Sequence, residues 1–177
     1  MRKILSQVIT ILFSILPILS FPIFSASSNL LSIGSKAPDF TLYSSSGDKI
    51  ALSNFTGKKV VVLVFYPGDN TPVCTKQLCE LRDSYEKLTE MGVEVLGINP
   101  ADSASHAKFS AKNSYSFPLL VDTEKKVAKQ YGRSGGLFGV KRAVFVIDKE
   151  GKIIFFQKGK PPVKDIISAI KDNMEKN

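Results

Sequence analysis

From Lys59 to Phe65 the chain reads Lys-Val-Val-Val-Leu-Val-Phe, an unbroken apolar run dominated by β-branched residues. A strand with one face in water would alternate apolar and polar side chains. This one does not, so it reads as a strand buried on both faces, inside its sheet rather than at an edge. Cover is then needed on two sides, and the sequence must supply it with helices. The first candidate follows at once. Tyr66-Pro67-Gly68-Asp69-Asn70-Thr71-Pro72 is a loop ending in a helix-start signal, with Thr71 as the expected side-chain cap and Pro72 in the first turn.

Leu78, Leu81, Tyr85 and Leu88 recur at helical spacing, predicting one helix that runs until Met91-Gly92 stops it. The remaining pattern alternates in the same way. A hairpin is expected from Asp39–Tyr43 and Lys49–Leu52 around a Ser-Ser-Ser-Gly-Asp turn, and a buried strand over Val93–Ile98. A helix is predicted over 103–113, a short strand over Leu119–Val121 and a helix over Glu124–Tyr131. A second hairpin follows from Ala143–Ile147 and Ile153–Phe156, then a closing helix over Val163–Met174. This order predicts an α/β fold with a central mixed β-sheet, helices on both faces and an N-terminal β-hairpin. No internal repeat or low-complexity segment interrupts it.

The first 26 residues are unlike the rest. Met1-Arg2-Lys3 is a short basic start, Ile4 to Phe24 is apolar apart from Ser, Gln and Thr, and Phe24-Ser25-Ala26-Ser27 offers small residues. This is the three-part pattern of a secretory signal, with the functional domain occupying residues 30–177. A retained membrane anchor is the alternative, and only then would the membrane be a partner. Either way the domain works outside the cytoplasm, in the periplasm, the thylakoid lumen or at an outer membrane face. Removing the segment lowers the net charge from +8 to about +6. The lysines are scattered and no basic helix is interleaved with aromatics, which argues against nucleic acid as a partner.

Cys74 and Cys79 are the only cysteines and His106 the only histidine, too few for the four-ligand zinc templates. A structural disulfide is one reading of the pair in an exported protein. Five residues along an α-helix, however, separate the Cα atoms by about 8.5 Å, and a disulfide spans at most about 7 Å. Either the helix does not form here or it opens locally whenever the bond closes, and the second case is a redox switch. In the first turn, Cys74 meets unpaired backbone N–H groups and the positive end of the helix dipole, which favour a thiolate. That makes Cys74 the expected nucleophile and Cys79 the expected resolving thiol.

Phe65-Tyr66-Pro67-Gly68-Asp69-Asn70-Thr71-Pro72-Val73-Cys74 resembles the peroxiredoxin signature, Pro followed by three residues, Thr, two residues and Cys. The second cysteine five positions on, with Leu81-Arg82-Asp83 after it, is similar to the peroxiredoxin Q, or bacterioferritin comigratory protein, subgroup of the AhpC/TSA superfamily. Ala37-Pro38-Asp39-Phe40, Phe117 to Asp122 and Arg142 to Asp148 extend the likeness over nearly all of the chain from Ile33. The resemblance implies a thioredoxin-like fold, commonly a monomer. It implies reduction of hydrogen peroxide and organic hydroperoxides through a Cys74–Cys79 disulfide that thioredoxin or a similar dithiol protein reopens. It assigns roles as well: Thr71 orients the thiolate and binds a peroxide oxygen, Pro67 shields the sulfur from water, and Arg142 lies beside it. A guanidinium is always charged and offers several donors, so it suits both a thiolate and a breaking O–O bond. The chain departs from the subgroup at Gly68, Val73 and Gln77, where Lys, Gly and Glu are common; none of these removes a catalytic group.

No metal or organic cofactor is implied. A thiol–disulfide oxidoreductase acting on proteins is an alternative, although Cys-x-x-Cys is missing, and a non-enzymatic redox sensor is another. The glycine-rich stretch Gly132–Gly139 lacks the context of a phosphate-binding loop and reads as a connection beside the active site. His106 is expected on a solvated helix face, and Phe117 in an apolar wall or the ordinary core.

Overall fold

In a computed structural model of the chain, residues 31–135 and 139–176 are described. The apolar run becomes β3 (Val60–Phe65), every residue of which is buried. It lies inside a seven-stranded sheet between a parallel and an antiparallel neighbour, β4 (Val93–Asn99) and β6 (Ala143–Ile147). Beyond β4 come β5 (Leu119–Val121), then the hairpin β1 (Thr41–Ser44) and β2 (Lys49–Ala51) at one edge; β7 (Ile153–Lys158) closes the other. The order β2-β1-β5-β4-β3-β6-β7, parallel in the middle and antiparallel outside, is the mixed thioredoxin-like sheet.

Alternation along β3 builds two cores. Val60, Val62 and Val64 face α1 (Pro72–Asp83) and α5 (Val163–Met174) through Leu78, Leu81, Ile166 and Ile170. The same side holds Leu88 of α2 (Tyr85–Glu90) and Phe109 of α3 (Ser103–Asn113). Val61, Leu63 and Phe65 face Phe145, Tyr131, Leu52 of a 3-10 turn, and Val127 and Ala128 of α4 (Lys126–Gln130). Each fully buried Leu or Val contributes about 1.5–3 kcal/mol, so these stripes fix which face of each helix meets the sheet. Among the described residues no helix is long and apolar enough to cross a membrane. The expected signal, residues 1–26, lies outside the described residues.

Two helices differ from expectation. The helix predicted to run from Pro72 to Met91 breaks at Ser84, whose N–H turns to Leu81 O in a tightened last turn. Asp83-Ser84 is a pair of weak helix formers at that point. The helix predicted over Glu124–Tyr131 begins only at Lys126, because Lys125 is left-handed (φ 55°) and the Asp122 carboxylate accepts the N–H groups of Val127 and Ala128.

Topology also places the site. Phe65, at the C-terminal end of β3, pairs with Ile98 on one side and Ala143 on the other. The loop into α1, the end of β4 and the residue just before β6 are therefore carried to one edge of the sheet. Arg142 is that residue. It precedes β6 rather than lying within it. A Cβ on Gly97 would lie 2.6 Å from Leu119 Cδ2 and 3.3 Å from Tyr66 Cε1, so only glycine lets β4, β5 and the Tyr66 ring approach this closely.

Candidate active site

The buried positions of α1 are Cys74, Gln77, Leu78 and Leu81, spaced as one stripe on an α-helix. Cys74 is thus part of the face that packs on the sheet, and none of its surface is exposed. Cys79 is turned about 140° around the helix from it and is only half-buried. Both thiols are free, and α1 is continuous across them. The condition anticipated above therefore holds: the helix exists, and it keeps the two sulfurs apart.

Arg142 reaches into this face from the start of β6. Its Nη2 donates to Cys74 Sγ at 2.9 Å and its Nη1 donates to Gln77 Oε1. One planar guanidinium thus grips two side chains a helical turn apart. Burial strengthens the contact to sulfur, since a charge withdrawn from water interacts more strongly with its neighbours. Thr71 is the N-cap residue by backbone geometry (φ −84°, ψ 142°), but its side chain makes no capping bond; its hydroxyl points to Gly68 O at 3.5 Å. The expected side-chain cap is therefore incorrect. Pro72 at the helix start removes one N–H that a cap would otherwise satisfy. Pro67 is half-buried in the segment between β3 and α1.

Around Cys79 the partner is Tyr115, whose Oη lies 3.8 Å from Sγ. Burial, with the thiol as neighbour, pushes the Tyr115 hydroxyl well above its ordinary range. Arg82 Nη1 donates to Asn113 O at 2.6 Å and Lys160 Nζ to Glu80 Oε1 at 2.5 Å, tethering the C-terminal part of α1 to the end of α3 and to the loop before α5. Phe117 stacks on Tyr115 and belongs to the same core as Cys74. The flanks of the glycine-rich stretch pair through Ser134 and Val140, and residues 136–138 lie outside the described residues.

The sequence marked Gln77 only as a departure from the subgroup pattern, and it marked neither Tyr115 nor an anchored Asp69. The i,i+3 spacing of Gln77 from Cys74 could have found the first. Tyr115 carries no such signal. His106, expected on a solvated face, is instead fully buried against Asp69, because the N-terminal half of α3 turns inward over β5. Among the described residues no cluster of His, Cys, Asp and Glu could hold a metal ion.

A profile of the AhpC/TSA family matches residues 33–156. The chain is 44% identical over 144 residues to a rice protein (Oryza sativa subsp. japonica) named peroxiredoxin Q, chloroplastic, covering 80% of this chain and 66% of that one. It is 38% identical over 158 residues to peroxiredoxin Bcp of Bacillus subtilis (strain 168), covering 82% and 99%. Among solved structures, the peroxidoxin BcpB of Mycobacterium tuberculosis superposes with a TM-score of 0.75 at 31% identity, over 80% of this chain and 97% of that one.

Proposed function

The chain belongs to the AhpC/TSA family, and from that premise we propose that it is a thiol-dependent peroxidase in which Cys74 attacks the peroxide and Cys79 resolves the product. One observation carries the reading: a buried cysteine in the first turn of a helix with a guanidinium nitrogen 2.9 Å from its sulfur. The free N–H groups of the helix start and the Arg142 guanidinium both face this sulfur.

In the first step the thiolate attacks one peroxide oxygen, the O–O bond breaks, and water or an alcohol leaves after taking a proton. Cys74 becomes a sulfenic acid. Arg142, the Cys74 backbone N–H and the Thr71 hydroxyl are the donors for the charge that grows on the departing oxygen. Pro67 keeps bulk water from the sulfur. Because Cys74 has no exposed surface here, peroxide reaches the sulfur only when the side chains covering it shift. In the second step Cys79 attacks the Cys74 sulfur and water leaves. With the sulfurs held apart on an intact α1, this step requires the helix to open, releasing Cys79 from Tyr115 and Arg82 from Asn113. A thioredoxin or similar dithiol protein then reduces the disulfide.

Hydrogen peroxide and small organic hydroperoxides are the proposed substrates, and a monomer the working unit. We place the protein outside the cytoplasm on the strength of residues 1–26; the rice relative is named chloroplastic, and a plastid lumen fits that placement. The test is rapid mixing of the mature domain with hydrogen peroxide, with and without a thioredoxin system. Fast oxidation alone and sustained turnover with reductant are expected. Slow oxidation with no turnover favours a redox sensor, and insulin reduction without peroxide turnover favours a protein oxidoreductase.

A further inference from the structure

Asp69 lies two residues before Thr71 and five before Cys74, and the chemistry above makes no use of it. Its side chain is 4% exposed. Oδ1 accepts from Tyr66 Oη at 3.0 Å and Asn99 Nδ2 at 2.8 Å, while Oδ2 accepts from Ser105 Oγ at 2.7 Å and His106 Nδ1 at 2.9 Å. These donors come from the end of β3, the end of β4 and the first turn of α3. His106, wholly buried, sets its Nε2 3.2 Å from the carbonyl of Leu120 on β5.

The donor count determines the charge state. Burial pushes the Asp69 carboxyl up, but the bonds from His106 and Ser105, the His106 charge and the Asn99 bond outweigh it and hold the group below its ordinary value. The Asp69 carboxylate accepts, so Nδ1 is the ring nitrogen that donates to it. Tyr66 faces the pair from β3, its ring centroid 6.4 Å from that of His106, and burial with the Asp69 charge keeps its hydroxyl protonated as a donor. Tyr115, beyond α3, and Cys74, on α1, are the other titratable groups within electrostatic reach. Among the described residues no lysine or arginine bonds the carboxylate.

Asn70, between Asp69 and Thr71, is left-handed (φ 58°). Asparagine adopts that conformation more readily than most residues, and the four donors on Asp69 fix the chain immediately before the turn. We propose that the buried, hydrogen-bonded Asp69–His106 pair is the positioning device of the peroxide site, pinning the loop so that the turn at Asn70 delivers Thr71 and the start of α1 to Cys74 and Arg142. The proposal rests on Cys74 being the peroxide-reactive thiol.

Two measurements test it. Because the chain has one histidine, ring ¹⁵N spectra of the full-length protein report His106 alone. Nδ1 should carry a proton in slow exchange with water, and a bare Nδ1 would overturn the pairing. The second compares two reactions of the same thiol in Asp69→Asn, His106→Gln and the milder Ser105→Ala. Hydrogen peroxide oxidation should slow about tenfold to a hundredfold in the first two, the cost of misplacing a reacting group by a fraction of an ångström or more. Iodoacetamide alkylation, which needs access but no Thr71, should hold or rise as the loop loosens. The double variant should be no slower than the slower single, because the pair acts as a unit. Ser105→Ala, losing one of four bonds, should move in the same direction by less, and carries the test if the others do not fold. Peroxide rates near wild type in folded variants, or both reactions falling in parallel, would overturn the positioning role. A wild-type protein inert to peroxide would instead refute the assignment of Cys74, with the ¹⁵N result still deciding whether the pair exists.

Discussion

Replacing Arg142 by alanine removes the guanidinium bonded to Cys74, and its cost can be worked from the contacts it breaks. Arg142 donates to a fully buried sulfur at 2.9 Å and to Gln77 Oε1, on a side chain only 3% exposed, so water cannot readily take its place. A hydrogen bond from a charged group contributes about 1.5–3 kcal/mol. If that contribution is felt in the transition state, the second-order rate of oxidation falls about 10- to 150-fold. Gln77 loses its donor as well, which should destabilise the fold by about 1–3 kcal/mol. Lysine at the same position keeps the charge but cannot hold both partners in a planar fork, so it should fall between alanine and wild type. The chain contains no tryptophan, so oxidation is best followed by rapid quench and mass spectrometry, or by competition with a reference peroxidase for limiting peroxide. A rate within about threefold of wild type, less than 1 kcal/mol, would refute the role given to Arg142.

The other expectations concern the thiols and the loop. Cys74→Ser should consume no peroxide, and appreciable turnover would refute its assignment as nucleophile. Cys79→Ser should consume one equivalent and stop, with one added oxygen on Cys74 by mass; an unchanged steady-state rate with thioredoxin contradicts a resolving role. Asp69, held below its ordinary value, contributes stability that is complete above about pH 4 and is lost as pH falls through the lower native value. The stability difference between wild type and Asp69→Asn should therefore shrink on acidification, and a difference independent of pH contradicts the anchored carboxylate.

Much of this is legible in the sequence. The unbroken run at Val60–Phe65 marked an interior strand because burial on both faces leaves no room for alternation, and the spacing of Leu78 and Leu81 marked the face of α1. Cys74 and Cys79 stood out because helix geometry and disulfide geometry disagree. What stayed hidden depended on tertiary approach. At the break the Ser84 N–H turns to Leu81 O, a change of backbone pattern that the apolar spacing does not mark. His106 looked solvent-facing because α3 is mostly polar, with small residues and serines on both sides; only its docking over β5 buries the ring against Asp69. Arg142, 68 positions from Cys74, was expected beside it only through the family resemblance; the antiparallel pairing of β6 with β3 is what brings the two together.

The most direct measurement follows backbone amide exchange along α1, in the reduced protein and after one equivalent of hydrogen peroxide, with the disulfide mapped on the same samples. The reduced protein should protect the amides from Gln77 to Asp83. The oxidised protein should carry a Cys74–Cys79 linkage and lose that protection while the sheet keeps its own. A mapped linkage with α1 still protected, or continued peroxide turnover with no linkage at all, would contradict a cycle in which the helix must open for the sulfurs to meet.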